Sequence, residues 1–440
     1  MAAAVVEKAR RGGAELAEAY FARSEELLVE VREGEVETLK LAREEGIGVR
    51  VIRKGRLGFA YTSDLSWPAV KEAVAGALAN AGTASEDPYH SFPEPPPAYP
   101  DLELEDPLLK EVSLAEKIEK AREIERAGRA FDPRIRLTER ASYEDARYLV
   151  AIANSRGLLA SCRGSFCGGY AVLVAEADGE QETGFGIQFT RKFKELDAGA
   201  VGREAAARAV RLLGARRLET GRVPVVMDPH VVASFLGMLA SALSAEAVQK
   251  GRSLFAGKVG KSVAAPGVTI VDDATLPGGL LSSPFDGEGV PGQRTVLIEG
   301  GQLRGFLYNT YTAARDQVAS TGNAARGSFK STPEVGSTNF YLAPGGFAPE
   351  QIIESTTWGL YLTEVMGMHT ANPISGDFSV GAAGIWIEHG ELSKPVRGMV
   401  IAGNILELLE AVDAVGNDLR FFVGKGAPTI RVTGLTVSGK

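Results

Sequence analysis

The run from Val223 to Gly260 constrains the fold more than any other stretch of the chain. Val223 to Met227 is a short apolar strand that ends at Asp228-Pro229. Beyond it, Val232, Phe235, Leu236, Leu239, Leu243 and Ala247 recur at three- and four-residue steps, the period of a helix with one buried face. Lys250-Gly251 closes the pattern with a basic last turn and the residue that best ends a helix. A helix placed like this could carry metal ligands or a nucleophile. Its inward face offers only aliphatic, aromatic and small residues.

Ahead of this run the pattern is mixed. Ala2 to Arg11 has one apolar face and predicts a helix ending near Gly12-Gly13. Alternation in Leu27–Arg32 and Ile47–Ile52, with Lys54-Gly55 turning into Leu57–Tyr61, predicts an antiparallel meander. Ser66, with Pro68 in the first turn, opens a helix to about Asn80. Phe92–Pro100, FPEPPPAYP, forbids helix and predicts a stiff connector or a surface strap. Ser113-Leu114-Ala115-Glu116 is a capping box for a helix to about Gly128. Strands follow over Tyr143–Ala153, Leu158–Cys162, Tyr170–Glu176 and Gly184–Phe189, with a turn at Asn154–Gly157, then a helix from Asp197 to Gly214. The order helix, strands, helix occurs twice, which suggests duplication, although no residue-level repeat is visible.

From Val223 on, glycine is frequent and the predicted strands are short: 268–272, 295–299, 303–307, 339–342, 359–365, 383–388, 398–401 and 429–432. Helices are expected only over 230–249, 349–354 and 405–412, the last capped by Asn404. The fold class expected is α+β in two domains. Residues 1–220 form an antiparallel or mixed sheet with flanking helices and the Pro-rich connector at 92–100; residues 221–440 form a mainly antiparallel β domain with one central helix.

The net charge of -8 weighs against a general nucleic-acid binder, because neutralising phosphates needs a basic surface. Arg208, Arg211, Arg216, Arg217 and Arg222 cluster loosely, as a solvated basic helix end or a local patch. The 2 cysteines, Cys162 and Cys167, lack CxxC spacing and predict packed thiols in a reducing cytoplasm. No window approaches the ~18 uninterrupted apolar residues of a membrane helix, and early charges interrupt any signal-like core. The expectation is a soluble cytoplasmic protein.

Four histidines, His90, His230, His369 and His389, are scattered, and none has HExxH spacing. His389 falls in a hairpin turn and is expected to be exposed. His230 starts the organising helix, where a positive charge would oppose the dipole, so a neutral capping role is expected. His369 lies in Gly367–Pro373, ahead of Ile374–Ser379, in a polar Gly-punctuated loop of the kind that carries binding groups; it either lines a cleft or orders its loop. Asp286 and Glu288, in Ser282–Gly289, lack the oxygen ligands of a calcium loop and read as a tight turn. There is no GxSxG, phosphate loop or dinucleotide motif.

The ordered blocks GIGVRVIRKGRLGFAYTSDL, NSRGL, VGREAAARAVRLLGARRLETGRVPVVMDP, KGRSLFAGKVG, SSPFDGEGVPGQRTVLIEGGQLRGFLYNTYTAA and SGDFSVGAAGIWIEHGELSKPVRGMVIAGN span nearly the whole chain. They resemble the TldD/TldE family of metalloproteases, whose TldE branch is also called PmbA. In the catalytic TldD branch, His-Glu-x-x-x-His on the organising helix and a cysteine near the C-terminus supply the zinc site and general base. Aligned on Lys250-Gly251, the first histidine falls at Leu236, the glutamate at Gly237 and the second histidine at Ser241. No cysteine follows Asn417-Asp418-Leu419. Zinc needs about three protein ligands to hold an activated water. The resemblance therefore implies the non-catalytic TldE-like subunit, with no catalytic residue and no metal of its own.

The same resemblance implies a TldD-like partner that holds the zinc in a heterodimer, a homodimer as an option without that partner, and extended unfolded peptides as substrate. Candidate peptide-binding residues are His369, Asn372, Ser375, Gly376, Asp377, Phe378 and Ser379, acting by main-chain pairing. Two alternatives stay open: a self-sufficient peptidase rebuilt around His369, Asp377 and Glu288, or a non-catalytic regulatory peptide-binding protein linked to gyrase modulation. No direct nucleic-acid contact and no membrane contact are expected.

Overall fold

The structure, a computed structural model, describes residues 1–439. Two equivalent runs build its first sheet. One is α1 (Ala2–Arg11), β1 (Leu16–Arg32), β2 (Glu35–Arg53), β3 (Arg56–Thr62) and α2 (Trp67–Thr83). The other is α3 (Leu114–Arg129), β4 (Ile135–Asn154), β5 (Leu159–Ala177), β6 (Glu180–Thr190) and α4 (Ala198–Arg211). The strand order β3-β2-β1-β4-β5-β6 is antiparallel throughout, so the second run repeats the first about the β1/β4 pair. The duplication suggested by the element order is present in the topology.

Strand alternation sends both helix-covered sets to one face of this sheet. Ala17, Ala19, Ile47, Val49 and Val51 pack there under α1 and α2, and Leu27, Val29, Val31, Ala171 and Leu173 under α3 and α4. The capping box opens α3 as its sequence requires: Ser113 Oγ accepts from the Glu116 N–H, and Glu116 accepts from the Ser113 N–H. The predicted strands Leu158–Cys162 and Tyr170–Glu176 are the two ends of β5. Gly164, Gly168 and Gly169 leave its middle without side chains to alternate.

The remaining elements are β7 (Gly221–Met227), α5 (Pro229–Ala242), α6 (Ala245–Gln249), β8 (Ile270–Asp273), β9 (Arg294–Glu299), β10 (Gln302–Leu303), α7 (Thr310–Asp316), β11 (Ala324–Ala325), β12 (Glu334–Val335), β13 (Asn339–Leu342) and α8 (Pro349–Glu354). After these come β14 (Trp358–Met366), β15 (Asp377–Glu388), β16 (Glu391–Asn404), α9 (Ile405–Glu410), β17 (Val412–Val415), β18 (Arg420–Phe422), β19 (Lys425–Ala427) and β20 (Ile430–Ser438). Strands β16-β15-β14-β7-β20 close into a ring, because β20 pairs back onto β16; β17 takes the rest of that edge. A second sheet runs β10-β9-β8-β13-β19-β18.

Helix α5 packs against both, touching β14 of the ring and β13 and β19 of the second sheet. Val232, Phe235, Leu236 and Leu239 join Met227, Leu360, Ile270 and Leu342 in one core. The single helix predicted over 230–249 is two. The Leu307 N–H donates to Leu243 O, and the Ala245 N–H donates to Leu307 O, each at 2.9 Å. The passing chain captures the backbone groups that would have continued the helix through Ser244.

The proline-rich stretch is a strap. Phe92 is buried under the Arg50 guanidinium, 5.0 Å from its ring centre, Asn154 Nδ2 donates to Pro93 O, and the Tyr99 hydroxyl donates to Gly289 O at 2.9 Å. The strap thus ties the first sheet to the turn that holds Asp286 and Glu288.

Candidate functional site

Asp228 sets the start of α5: Oδ1 accepts from the His230 N–H at 3.0 Å and Oδ2 from the Tyr361 hydroxyl at 3.0 Å. The helix then turns Val232, Phe235, Leu236 and Leu239 inward and leaves Ser234, Gly237, Met238 and Ser241 as its outer stripe. The three positions aligned with the family's ligands and base therefore do not converge. Leu236 is 2% exposed in the core, Gly237 faces open space and Ser241 is exposed. These side chains offer a hydrocarbon, a hydrogen and one hydroxyl, so they do not fit a catalytic zinc ion. Among the described residues, no group of three or more His, Cys, Asp or Glu is arranged to hold a metal.

The loop after β14 is ordered by its own hydrogen bonds. Asn372 Oδ1 accepts from the N–H groups of Ile374 and Ser375, and the Asn372 N–H donates to Asp377 O at 2.8 Å. Gly376 has φ +84, and a Cβ there would meet Ile405 Cγ2 at 2.9 Å, so the turn requires glycine. Asn404 Nδ2 donates to Ser375 O and to Asp377 Oδ1, while its Oδ1 caps α9. Bonds from Asn404 and Ser375 hold the Asp377 carboxyl below its ordinary pKa.

This arrangement leaves His369, Asn372, Ser375, Asp377 and Ser379 exposed along one loop and strand end, and buries Gly376. Phe378 is buried instead, 4% exposed, with its ring 5.0 Å from that of Phe235 on α5 at 72°. Its side chain is core and cannot meet a peptide; it ties the loop to the organising helix. The rebuilt site of His369, Asp377 and Glu288 does not assemble. Glu288 is buried, accepting from Arg50 at 3.1 Å and from the Thr310 N–H at 2.9 Å, and no hydrogen bond joins any two of the three.

A larger cleft, about 440 Å³, lies between the first sheet and the 280–287 and 322–338 segments. Its floor includes Tyr20, Tyr148 and Phe166, and its wall includes Phe285, Asp286 and Arg326. Beside it, Glu18, Arg50, Glu288 and Arg326 form a buried charge network. The two guanidinium groups pull the Glu18 carboxyl below its ordinary pKa against the opposing effect of burial. Asp286 accepts three backbone N–H bonds, yet burial and the neighbouring Glu288 charge push its pKa up to about 7. The segment is the tight turn expected of it, but the residues packed beside it, Glu18, Arg50 and Arg326, belong to no motif found in the sequence. The available signal was a charge set between apolar neighbours, Ala17-Glu18-Ala19 and Val49-Arg50-Val51, on strands that pair Glu18 with Arg50.

The other single residues fall into structural roles. His230 is wedged between Phe185, 4.5 Å away, and Phe422, 5.1 Å away. Burial, reinforced by the Arg208 charge, drops its pKa to about 4, so it is neutral as expected; Asp228, however, is the cap. His90 stacks on Tyr311, and His389 is exposed in its turn at φ +56. Both cysteines are free, Cys167 buried and Cys162 half-buried at the cleft, with burial raising their pKa values to about 12 and about 11. Among the described residues, no helix is long and apolar enough to cross a membrane.

Comparison with known proteins covers most of the chain. Residues 220–439 match the PmbA/TldA metallopeptidase C-terminal domain, 107–213 the central domain and 17–81 domain 1. The metalloprotease PmbA of Escherichia coli O157:H7 is 32% identical over 415 residues, 93% of this chain and 89% of its own length. A metalloprotease of Methanothermobacter thermautotrophicus is 30% identical over 444 residues, 93% of this chain and 92% of its own. Among solved structures, TldE from Thermococcus kodakarensis superposes with a TM-score of 0.92 at 25% identity over 99% of each chain. A Thermotoga maritima protein described as a candidate modulator of a DNA gyrase gives 0.92 at 30% identity, again over 99% of each chain.

Proposed function

The chain belongs to the PmbA/TldD metallopeptidase family, and from that premise we propose that it is the TldE-like, non-catalytic subunit of a two-subunit cytoplasmic metallopeptidase. In this reading a TldD-like subunit supplies the zinc and general base and cuts extended, unfolded peptides. Residues 1–220 and 221–440 act as the two domains of the present subunit. Its part is to complete the peptide cavity through the exposed stripe of α5 and the loop of His369, Asn372, Ser375, Asp377 and Ser379.

The observation that carries the proposal is the core position of Leu236. The helix that would grip a metal has its first ligand position sealed in hydrocarbon and its other two positions without a donor set. Support for the loop comes from geometry: its backbone is held by internal bonds, its polar side chains face outward, and Phe378 ties it to α5. Such a preorganised edge costs little entropy when an extended peptide aligns with it.

The test is reconstitution. Mixing this chain with its TldD-like counterpart should give a stable complex that cleaves an unfolded peptide in a chelator-sensitive manner, while this chain alone cleaves nothing. Failure to form any complex with a folded counterpart, or chelator-sensitive cleavage by the isolated chain, would overturn it.

A further inference from the structure

Directly opposed residues of an antiparallel sheet share a face. The helices cover one face of the first sheet; Tyr20 of β1, Tyr148 and Val150 of β4, and Cys162 and Phe166 of β5 stand on the other. On that side the 280–287 and 322–338 segments bound the cleft of about 440 Å³, with Phe285 as its aromatic wall. Small-molecule sites range over roughly 300–1,000 Å³, so the cleft has the size of one. Gly164 shapes its floor, because a Cβ there would collide with the Tyr148 hydroxyl. The two charged residues that line the cleft are spent inside the protein. Asp286 accepts three backbone N–H bonds, and Arg326 donates to Gly287 O, Ser331 O and Glu18. The hydroxyl hydrogens are not spent. Tyr20 is 8% exposed, with the Arg326 guanidinium 4.5 Å from its ring centre, and its hydroxyl has no hydrogen-bond partner among the described residues. The Tyr148 hydroxyl accepts from Arg191 Nη1 at 2.9 Å and keeps its own hydrogen to donate. Burial raises the pKa of both phenols, that of Tyr20 to about 12, so each stays a donor.

We propose that this cleft binds an uncharged aromatic molecule carrying a carbonyl oxygen, with its rings against Phe166 and Phe285 and its oxygen accepting from the Tyr20 hydroxyl. A buried donor without a partner is costly, and a carbonyl oxygen relieves that cost. Aromatic walls favour a flat ring. An ion would shed its water beside an arginine and a carboxyl group that are already paired, with no counter-charge left for it. The Tyr148 hydroxyl is a second donor on the same floor. Neither the 367–379 loop nor the outer stripe of α5 lines the cleft, so the inference stands independently of the partner-subunit reading.

The test is fluorescence titration of the full chain with a neutral naphthyl ketone, propionyl-dimethylaminonaphthalene, beside dimethylaminonaphthalene, which lacks the carbonyl. The ketone should bind saturably, one per chain. Tyr20→Phe removes only the hydroxyl and should weaken the ketone about fivefold while leaving the carbonyl-free analogue unchanged, a split that a merely structural role would not produce. Ala325→Trp, at an exposed position of the lining, should obstruct the cleft and weaken both compounds at least about tenfold, with circular dichroism confirming the fold. Bound ketone should also slow maleimide alkylation of Cys162, the thiol of the cleft. Absence of saturable binding would overturn the inference. So would a Tyr20→Phe variant that binds the ketone as tightly as the parent or loses both compounds equally, an Ala325→Trp variant without effect, or naphthoate binding as tightly as the ketone.

Discussion

Arg50 on β2 holds Glu18 on β1 through two parallel bonds, Nε to Oε1 at 2.9 Å and Nη2 to Oε2 at 2.6 Å, with Glu18 wholly shielded from solvent. The cross-strand register sets the pair, and the C-terminal segment completes it. Arg326 also reaches Glu18, and Glu288 also accepts from Arg50. Two acids and two guanidinium groups from distant parts of the sequence neutralise one another. This explains how a charged patch can sit where the first sheet meets the rest of the molecule.

Removing one member should therefore cost far more than a surface pair would. Glu18→Ala leaves two buried guanidinium groups short of a counter-charge and is expected to lower stability by about 3–5 kcal/mol. Denaturant unfolding should show the loss as a lower midpoint; a change under about 1 kcal/mol would mean that the network is not coupled to folding.

Asp286 should make the protein less stable as pH rises. Its folded pKa, about 7, lies above its unfolded value, so the folded state holds the proton more tightly. Stability from this group is greatest below the unfolded carboxylate range and falls through the interval from about 4 to about 7. Asp286→Asn is expected to lower stability overall, by setting an amide against a backbone N–H, yet to flatten the slope between pH 5 and pH 8. An unchanged slope would refute the assignment.

His230 acts in the opposite direction. Its folded pKa, about 4, lies below the ordinary value near 6.5, so its contribution is intact above about 6.5 and is lost as pH falls toward 4. His230→Phe keeps a ring between Phe185 and Phe422 and removes the proton acceptor. It should reduce the loss of stability between pH 7 and pH 4.5, as measured by thermal unfolding.

Much of this was legible in the residues, and the failures have physical causes. Amphipathic period and capping chemistry gave the helices from Ser113 and Asp197 and the short strand Asn339–Leu342, because those signals are local. The repeated order of elements foretold the symmetric sheet. The break at Ser244 was hidden because its cause, the backbone of Leu307, lies far along the chain. Phe378 sits in a polar loop motif, but its neighbour Phe235 is known only from the packing. Glu18 and Arg50 carry no local mark of burial, since nothing near them in the sequence says that a third segment covers that face.

Backbone strain at Val423 supplies a separate test. This β-branched residue sits at φ +60 in the turn between β18 and β19, ahead of Gly424. Gly424 does not share that region, and a two-residue hairpin turn with positive φ only at its first central residue favours glycine there. Val423→Gly is expected to raise stability by roughly 0.5–1 kcal/mol, and a loss in thermal unfolding would show that the valine side chain makes a compensating contact.

Gly237 can separate folding from partnership. It lies inside α5 with nothing within 4 Å of the place where a Cβ would stand, so no contact in the isolated chain requires glycine. Gly237→Ala should stabilise the isolated chain by about 0.8–1 kcal/mol through helix propensity alone. If the outer stripe of Ser234, Gly237, Met238 and Ser241 lines the shared cavity, then Gly237→Trp, tolerated in open space by the single chain, should weaken either complex formation with a TldD-like subunit or cleavage by that complex. Leu236→Ala supplies the contrast: it empties part of a packed core and is expected to cost about 2–5 kcal/mol in the isolated chain. If Gly237→Trp leaves both assembly and peptidase activity untouched, this face of the helix is free surface and the cavity reading fails there.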